Sequence, residues 1–276
     1  LALETLDLHK HIDHIKKRAE TLSPARFAPS QQPFISHIGE IAKHLSTLFQ
    51  DIPRGQLAYF YVLPALGEEL QRRVVALYGY AQLLTGYTEL FDNASLTDQD
   101  KETLSTIYSE GVELALSIGE CHQRAAQWRI TQRKQEPQSF ELGQLLRDYI
   151  DIYRYFLGDT GIGISVVYEP CTEVIARPYH VSELIMHIIG VLCREMLNPQ
   201  NKDQEHVTLR VKDNFLDIRT LHGIWEIETS AVLFYRHERG VYISQLEKDN
   251  GKIQILGGVF GDPDIRLTLT KKTTYE

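Results

Sequence analysis

The 276-residue chain lacks most of the features that mark specialised protein classes. It has three cysteines, Cys121, Cys171 and Cys193, odd in number, widely spaced and without a C-x-x-C. A disulfide framework or a zinc site has little basis here, and a reducing cytoplasm is the expected setting. No apolar run reaches the ~18–20 residues that span a bilayer, and no signal peptide is recognisable. Basic residues are also short, with 29 Lys and Arg against 37 Asp and Glu and a net charge of −8. Surfaces for nucleic acid or anionic membranes need clustered Lys and Arg, so neither partner is expected. The first residue is Leu rather than Met, a slight hint of a piece from a longer protein.

What the chain does have is sustained helical periodicity. Leu8, Ile12, Ile15, Ala19 and Leu22 step by 4, 3, 4 and 3, which predicts a helix over residues 1–22. A proline-rich loop (23–33) separates it from a second predicted helix over 34–50. A long helical pair follows. Leu63, Leu66, Leu70, Val74, Leu77, Ala81 and Leu84 line the first member. Leu104, Ile107, Gly111, Leu114, Ile118, Cys121, Ala125 and Trp128 line the second, alternating 3 and 4 without a slip. Thr97 or Ser95 can cap the second helix, with Asp98 and Asp100 in its first turn. A mean period of ~3.5 over several heptads is the seam of a coiled coil or bundle. One hairpin has too few partners to bury two seams. Pairing of two chains in a four-helix bundle is therefore the expectation, with bundle completion inside one chain by the first two helices as the alternative.

After the polar stretch 131–139 the pattern changes to α+β. An amphipathic helix (141–157) precedes strands at 161–169 and 172–177, an apolar helix (179–197) and a hairpin (206–222) turning at Asp213-Asn214. A short helix (240–251) ends on Asn250-Gly251, and strands at 252–260 and 264–270 follow. Three segments result: N-terminal helices (1–56), a helical hairpin (57–134) and an α+β domain (138–276).

Three stretches, ALYGYAQLL (76–84), FELGQLLRDYI (140–150) and GVYISQLEKDNGKIQI (240–255), occur in this order. Together with the element order they resemble the core of sensor histidine kinases over about residues 57–272. That resemblance implies a dimerisation and phosphotransfer hairpin followed by an α/β-sandwich ATP-binding domain of the GHKL type. It also marks where the chemistry should be. The family's phospho-acceptor box, Ser-His-Glu-Leu-Arg-Thr-Pro, falls on Gly67-Glu68-Glu69-Leu70-Gln71-Arg72-Arg73. Glu68 takes the histidine's place with Glu69 beside it, and a carboxylate cannot serve as the nucleophile of a phosphohistidine relay. The family's magnesium-binding Asn-Leu-Leu-x-Asn-Ala falls on His187 to Leu192, where Val191 offers no oxygen to a hard cation. The adenine-gripping Asp-x-Gly-x-Gly falls on Thr220-Leu221-His222-Gly223-Ile224, without a carboxylate. Of the glycine-rich lid box only Gly240 is present.

The resemblance thus implies a kinase-shaped, cytoplasmic protein without catalytic residues, nucleotide or metal, acting in two-component signalling as a homodimer. It would bind a response regulator or another histidine kinase near Val75, Tyr78 and Gln82. Two alternatives stand beside it. One is an active divergent kinase using ATP and magnesium, or a phosphotransfer protein using another histidine such as His37 in Ser36-His37-Ile38-Gly39-Glu40. The other is a structural dimerisation module of a larger sensor. Among other clusters, His11 and His14 share a helical face and His9 points away from it. Two histidines make a weak metal site, so no metal is expected.

Overall fold

The computed structural model describes residues 8–53, 56–86, 96–196, 206–220, 244, 246–255 and 265–272. The chain divides into two compact units, residues 1–128 and 129–276.

Each apolar periodicity of the first unit becomes a helix: α1 (Leu8–Glu20), α2 (Gln32–Asp51), α3 (Gln56–Gly86) and α4 (Asp98–Arg133). Thr97 caps α4: its Oγ1 accepts the Asp100 N–H at 3.1 Å and donates to Asp100 Oδ2 at 2.7 Å. This satisfies one of the donors that a helix start leaves open. The four helices touch in a ring. α1 packs on α2 and α2 on α3. α3 meets α4 where Phe60 stacks on Trp128 at 4.9 Å, and α4 meets α1 where Glu110 bonds His11 at 2.5 Å. Leu63, Leu70, Val74, Leu77, Ala81 and Leu84 of α3 and Leu104, Ile107, Leu114, Ile118 and Ala125 of α4 are each fully buried within one chain. The cover that the hairpin seams require is thus present without a second copy.

The α3 seam differs from the expected one at a single step. Leu66 is half-buried, and Gly67 is buried instead, so the seam runs 63, 67, 70, 74, 77, 81, 84. A Cβ on Gly67 would lie 2.4 Å from the His122 ring, and one on Gly111 would lie 2.9 Å from the Tyr78 Cβ. Each helix therefore gives a side chain to a glycine notch of the other. Gly67 and Tyr78 are eleven residues apart, as are Gly111 and His122. Eleven residues make about three turns, so the two notches lie on the same flank of each helix. His122 Nε2 also bonds the Leu63 carbonyl at 3.0 Å. Pro64, inside α3, removes one rung of the helical ladder next to this contact.

In the second unit α5 (Leu142–Leu157) and α6 (Pro178–Met196) accompany two sheets. The strands are β1 (Gln138–Glu141), β2 (Gly163–Cys171), β3 (Glu173–Ala176), β4 (His206–Asp213), β5 (Phe215–Thr220), β6 (Lys252–Ile255), β7 (Ile265–Thr268) and β8 (Thr270–Lys271). A five-stranded sheet has the order β2-β4-β5-β7-β6, with β2 and β4 parallel and the other pairs antiparallel. An antiparallel sheet β1-β3-β8 lies apart, formed by β1, which begins at the end of the expected polar linker, by β3 and by the last described strand. Alternation sends Val207, Leu209, Val211, Leu216, Ile218, Ile265 and Leu267 to one face, all essentially inaccessible to water. α5 lies against β2 and β4, and its Tyr153 hydroxyl donates to the Ser182 carbonyl of α6 at 3.2 Å. The opposite face is a charge ladder. Glu169 pairs with Arg210 and Lys212. Asp217 takes a two-pronged bond from Arg266 at 2.6 and 2.9 Å. The hairpin turns at Asp213 (φ 52°) as expected. Asn250 (φ 59°) ends the short helix, with Asn250 N–H to Glu247 O and Gly251 N–H to Leu246 O closing a Schellman motif.

Arg177 ties the segment after α4 into this unit. Its Nε donates to the Gln135 carbonyl at 2.9 Å, and its guanidinium pairs with Asp249, whose side chain is 5% exposed. Arg177→Ala strands that carboxylate and is expected to cost about 3 kcal/mol in a urea titration; a loss below about 0.5 kcal/mol would contradict this.

The glycines give a paired expectation for the first unit. Gly79 and Gly119 would place a Cβ in open space, so Gly79→Ala or Gly119→Ala should stabilise by about 0.5–1 kcal/mol through helix propensity. Gly111→Ala gains the same propensity and still loses stability, by about 1–2 kcal/mol, because Tyr78 cannot retreat far from its own helix. Thermal melts of the three variants separate the cases by sign.

Candidate functional site

Within α3, positions 68, 72, 75, 79 and 82 step by 4, 3, 4 and 3, so they form one stripe away from the seam. Glu68 lies at its head, exposed and without an ion pair among the described residues. Pro64, Ala65, Glu68, Glu69 and Arg72 line an open depression around it. Glu69 bonds Arg73 at 2.5 Å and also pairs with Arg72. The Arg73 hydrogen bond, aided by Arg72 against the opposing effect of burial, holds the Glu69 carboxyl below the usual carboxylate range. Two carboxylates one residue apart thus differ: Glu69 is held by its two arginines, and Glu68 faces water with no ion pair among the described residues.

Farther along the stripe Val75 is 48% exposed and Gln82 is exposed. Tyr78 is half-buried, its base over Gly111 and its ring edge-on to Tyr108 at 6.1 Å. The surface therefore combines a free carboxylate, an open glycine backbone, an apolar side chain and an amide. These groups can make contacts; they do not form a nucleophile with its base.

The histidines separate as their spacing on α1 indicated. His9 bonds the Tyr59 hydroxyl at 2.9 Å. His11 and His14 present Nδ1 to the two oxygens of Glu110 on α4, at 2.5 and 3.1 Å. Among the described residues no group of three or more His, Cys, Asp or Glu could hold a metal ion. His37 is exposed on α2, its ring stacked at 5.8 Å and 25° on Tyr80. Of the nucleotide-site positions only His187, half-buried on α6, is described with its side chain. The Val191 side chain and all of Leu221, His222, Gly223 and Gly240 lie outside the described residues. No described helix is long and apolar enough to cross a membrane.

Sequence reasoning missed Glu110 and His122. Both adjoin seam positions, Gly111 and Cys121, where a polar side chain leans into a neighbouring helix. That adjacency is the signal that could have found them. Burial pushes the Glu110 carboxyl up, and the bonds from His11 and His14 outweigh this, leaving it below its ordinary value. A depressed carboxyl contributes stability that is present above its unfolded value of 4.5 and is lost as pH falls through the lower folded value. Glu110→Gln should therefore flatten the acid limb of a melting-temperature profile below about pH 5; an unchanged limb would contradict the clasp.

Compared with protein-family models and with curated proteins, the chain matches none.

Proposed function

We propose that this chain is a catalytically inactive, histidine-kinase-like protein that works in two-component signalling by binding. In this reading α3 and α4 correspond to the family's dimerisation and phosphotransfer hairpin. The second unit corresponds to its GHKL-type ATP-binding domain, degenerate in its nucleotide boxes. A helical unit followed by an α+β unit with a mixed sheet is compatible with that assignment. The observation that carries it is Glu68. Leu63, Leu70 and Val74 on either side of it are buried, the position faces water as an acceptor must, and the residue there is a carboxylate in place of the imidazole that a phosphohistidine relay uses. A fixed negative charge at that address imitates a phosphorylated state weakly, since a phosphoryl group carries nearly two charges.

The partner is a response regulator or a true histidine kinase, docked through Val75 and Gln82 of the stripe and Tyr78 at its edge. Exposed Val75 at the centre of a polar surround suits a small, transient interface. Val75→Glu with Gln82→Lys should weaken capture of a receiver domain at least tenfold, read by surface plasmon resonance, with the melting temperature unchanged. Equal capture by wild type and variant, or none by wild type with receivers and kinases of its own cell, would remove this function.

A second reading has one observation in its favour: His37 is exposed and held by Tyr80, so an imidazole is accessible on the helical unit. A phosphotransfer protein would take label on it from an aspartyl phosphate or a phosphorylated kinase. Acid-labile label that disappears in His37→Ala would favour this reading over the first.

A further inference from the structure

The open face of the five-stranded sheet is basic, although the chain as a whole carries a net charge of −8. Strand register places Arg210, Lys212, Arg219, Lys252 and Arg266 on it, together with Glu169 and Asp217. Three of these cations are paired: Arg210 and Lys212 share Glu169, and Arg266 takes both oxygens of Asp217. Arg219 differs. It is half-buried, its Nε is covered, and among the described residues no hydrogen bond or ion pair holds its guanidinium. Asp217, two residues back on the same strand and face, is already filled by Arg266. A covered N–H without an acceptor is costly, and a guanidinium offers its donors as a fixed fork that suits an oxyanion.

The neighbours of Arg219 on this face are hydroxyls. Arg219 stands opposite Thr208 on β4, and Thr208 stands opposite Ser165 on β2. The three form one row across three strands, about 10 Å from end to end. Ser165 Oγ lies 3.2 Å from Thr208 Oγ1, and His206 Nε2 lies 2.9 Å from Ser165 Oγ. With the imidazole donating to the Ser165 oxygen, both hydroxyl hydrogens can turn outward at the loss of one hydroxyl–hydroxyl bond. We propose that Arg219, Thr208 and Ser165, backed by His206, form a binding site for a tetrahedral oxyanion of the phosphate class, either free phosphate or a phosphate monoester. The guanidinium fork takes two oxygens of such an anion, and the hydroxyls take a third, which a planar carboxylate does not have. No position of the nucleotide boxes takes part, so the inference holds whether or not the kinase-like reading does.

The test titrates the full chain with inorganic phosphate, phosphoserine and acetate and follows the melting temperature, with ionic strength held constant by sodium chloride. Wild type should show a saturable rise with phosphate or phosphoserine, at a Kd of about 1 mM or below, and none with acetate. Arg219→Gln breaks no described contact and should raise that Kd about tenfold or more. Ser165→Ala with Thr208→Val should weaken it as well, with the guanidinium intact. Lys212→Gln, which removes a cation from the same face outside the row, should leave it unchanged. Tighter binding of phosphoserine names a monoester as the ligand and tighter binding of phosphate names the free ion; either supports the site. A rise that never saturates, equal binding by Arg219→Gln, an equal loss in Lys212→Gln, or acetate binding as tightly as phosphate overturns the proposal.

Discussion

Close approach of α3 and α4 at Gly111, with the His122 ring filling the space over Gly67, is the constraint on which the facing of these two helices depends. His122 fills the space over Gly67 and Tyr78 the space over Gly111, three turns apart. Two such contacts fix both the axial register and the rotation of the helices. With rotation fixed, Leu70 and Val74 must face the core, and Glu68 and Val75 must face water. The character of the exposed stripe therefore follows from residues on the adjoining flank of the same helix. A Cβ at Gly111 would press on the Tyr78 Cβ and backbone and force the helices apart or turn them, whereas at Gly67 it would displace the His122 ring.

The second unit solves a different problem with the same economy. A sheet with one dry face needs its other face to tolerate water without offering a flat apolar surface to strangers. The Glu169, Arg210 and Lys212 cluster and the Asp217–Arg266 fork meet that need, because opposite charges stand side by side across neighbouring strands. Arg177 then gathers the chain after α4, the start of α6 and the end of the short helix around one guanidinium. A planar donor with five N–H groups can do this where an ammonium could not.

Much of this was legible in the residues. The helices over 34–50, 141–157 and 179–197, the Thr97 cap, the turn at Asp213 and the stop at Asn250 all follow from local patterns that tertiary structure left unchanged. Gly67 was not legible, because hydrophobic periodicity has no sign for a buried residue without a side chain. Spacing alone puts Leu66 on the seam in its place. The central strand β3 is legible as the strand expected over 172–177, whereas its partners β1 and β8 are short edge strands, β1 beside a proline-bearing polar stretch, with almost no alternation to read. The exposed position of Glu68 was predicted from spacing, whereas the Glu110 clasp joins residues nearly a hundred apart, which no local pattern reports. The need for a second chain was inferred from two seams. The structure places α1 and α2 over them, a solution that the same spacing also allowed.

The proposed function rests on Glu68 standing at the position where a histidine kinase carries its acceptor, and a chain of that kind binds and does not catalyse. The most direct measurement is isothermal titration of the purified chain with magnesium-ATP, followed by incubation with γ-labelled ATP and an acid-lability assay. The account predicts no heat of binding at micromolar protein and no acid-labile phosphate on the chain. Saturable micromolar binding together with label on a histidine would contradict it.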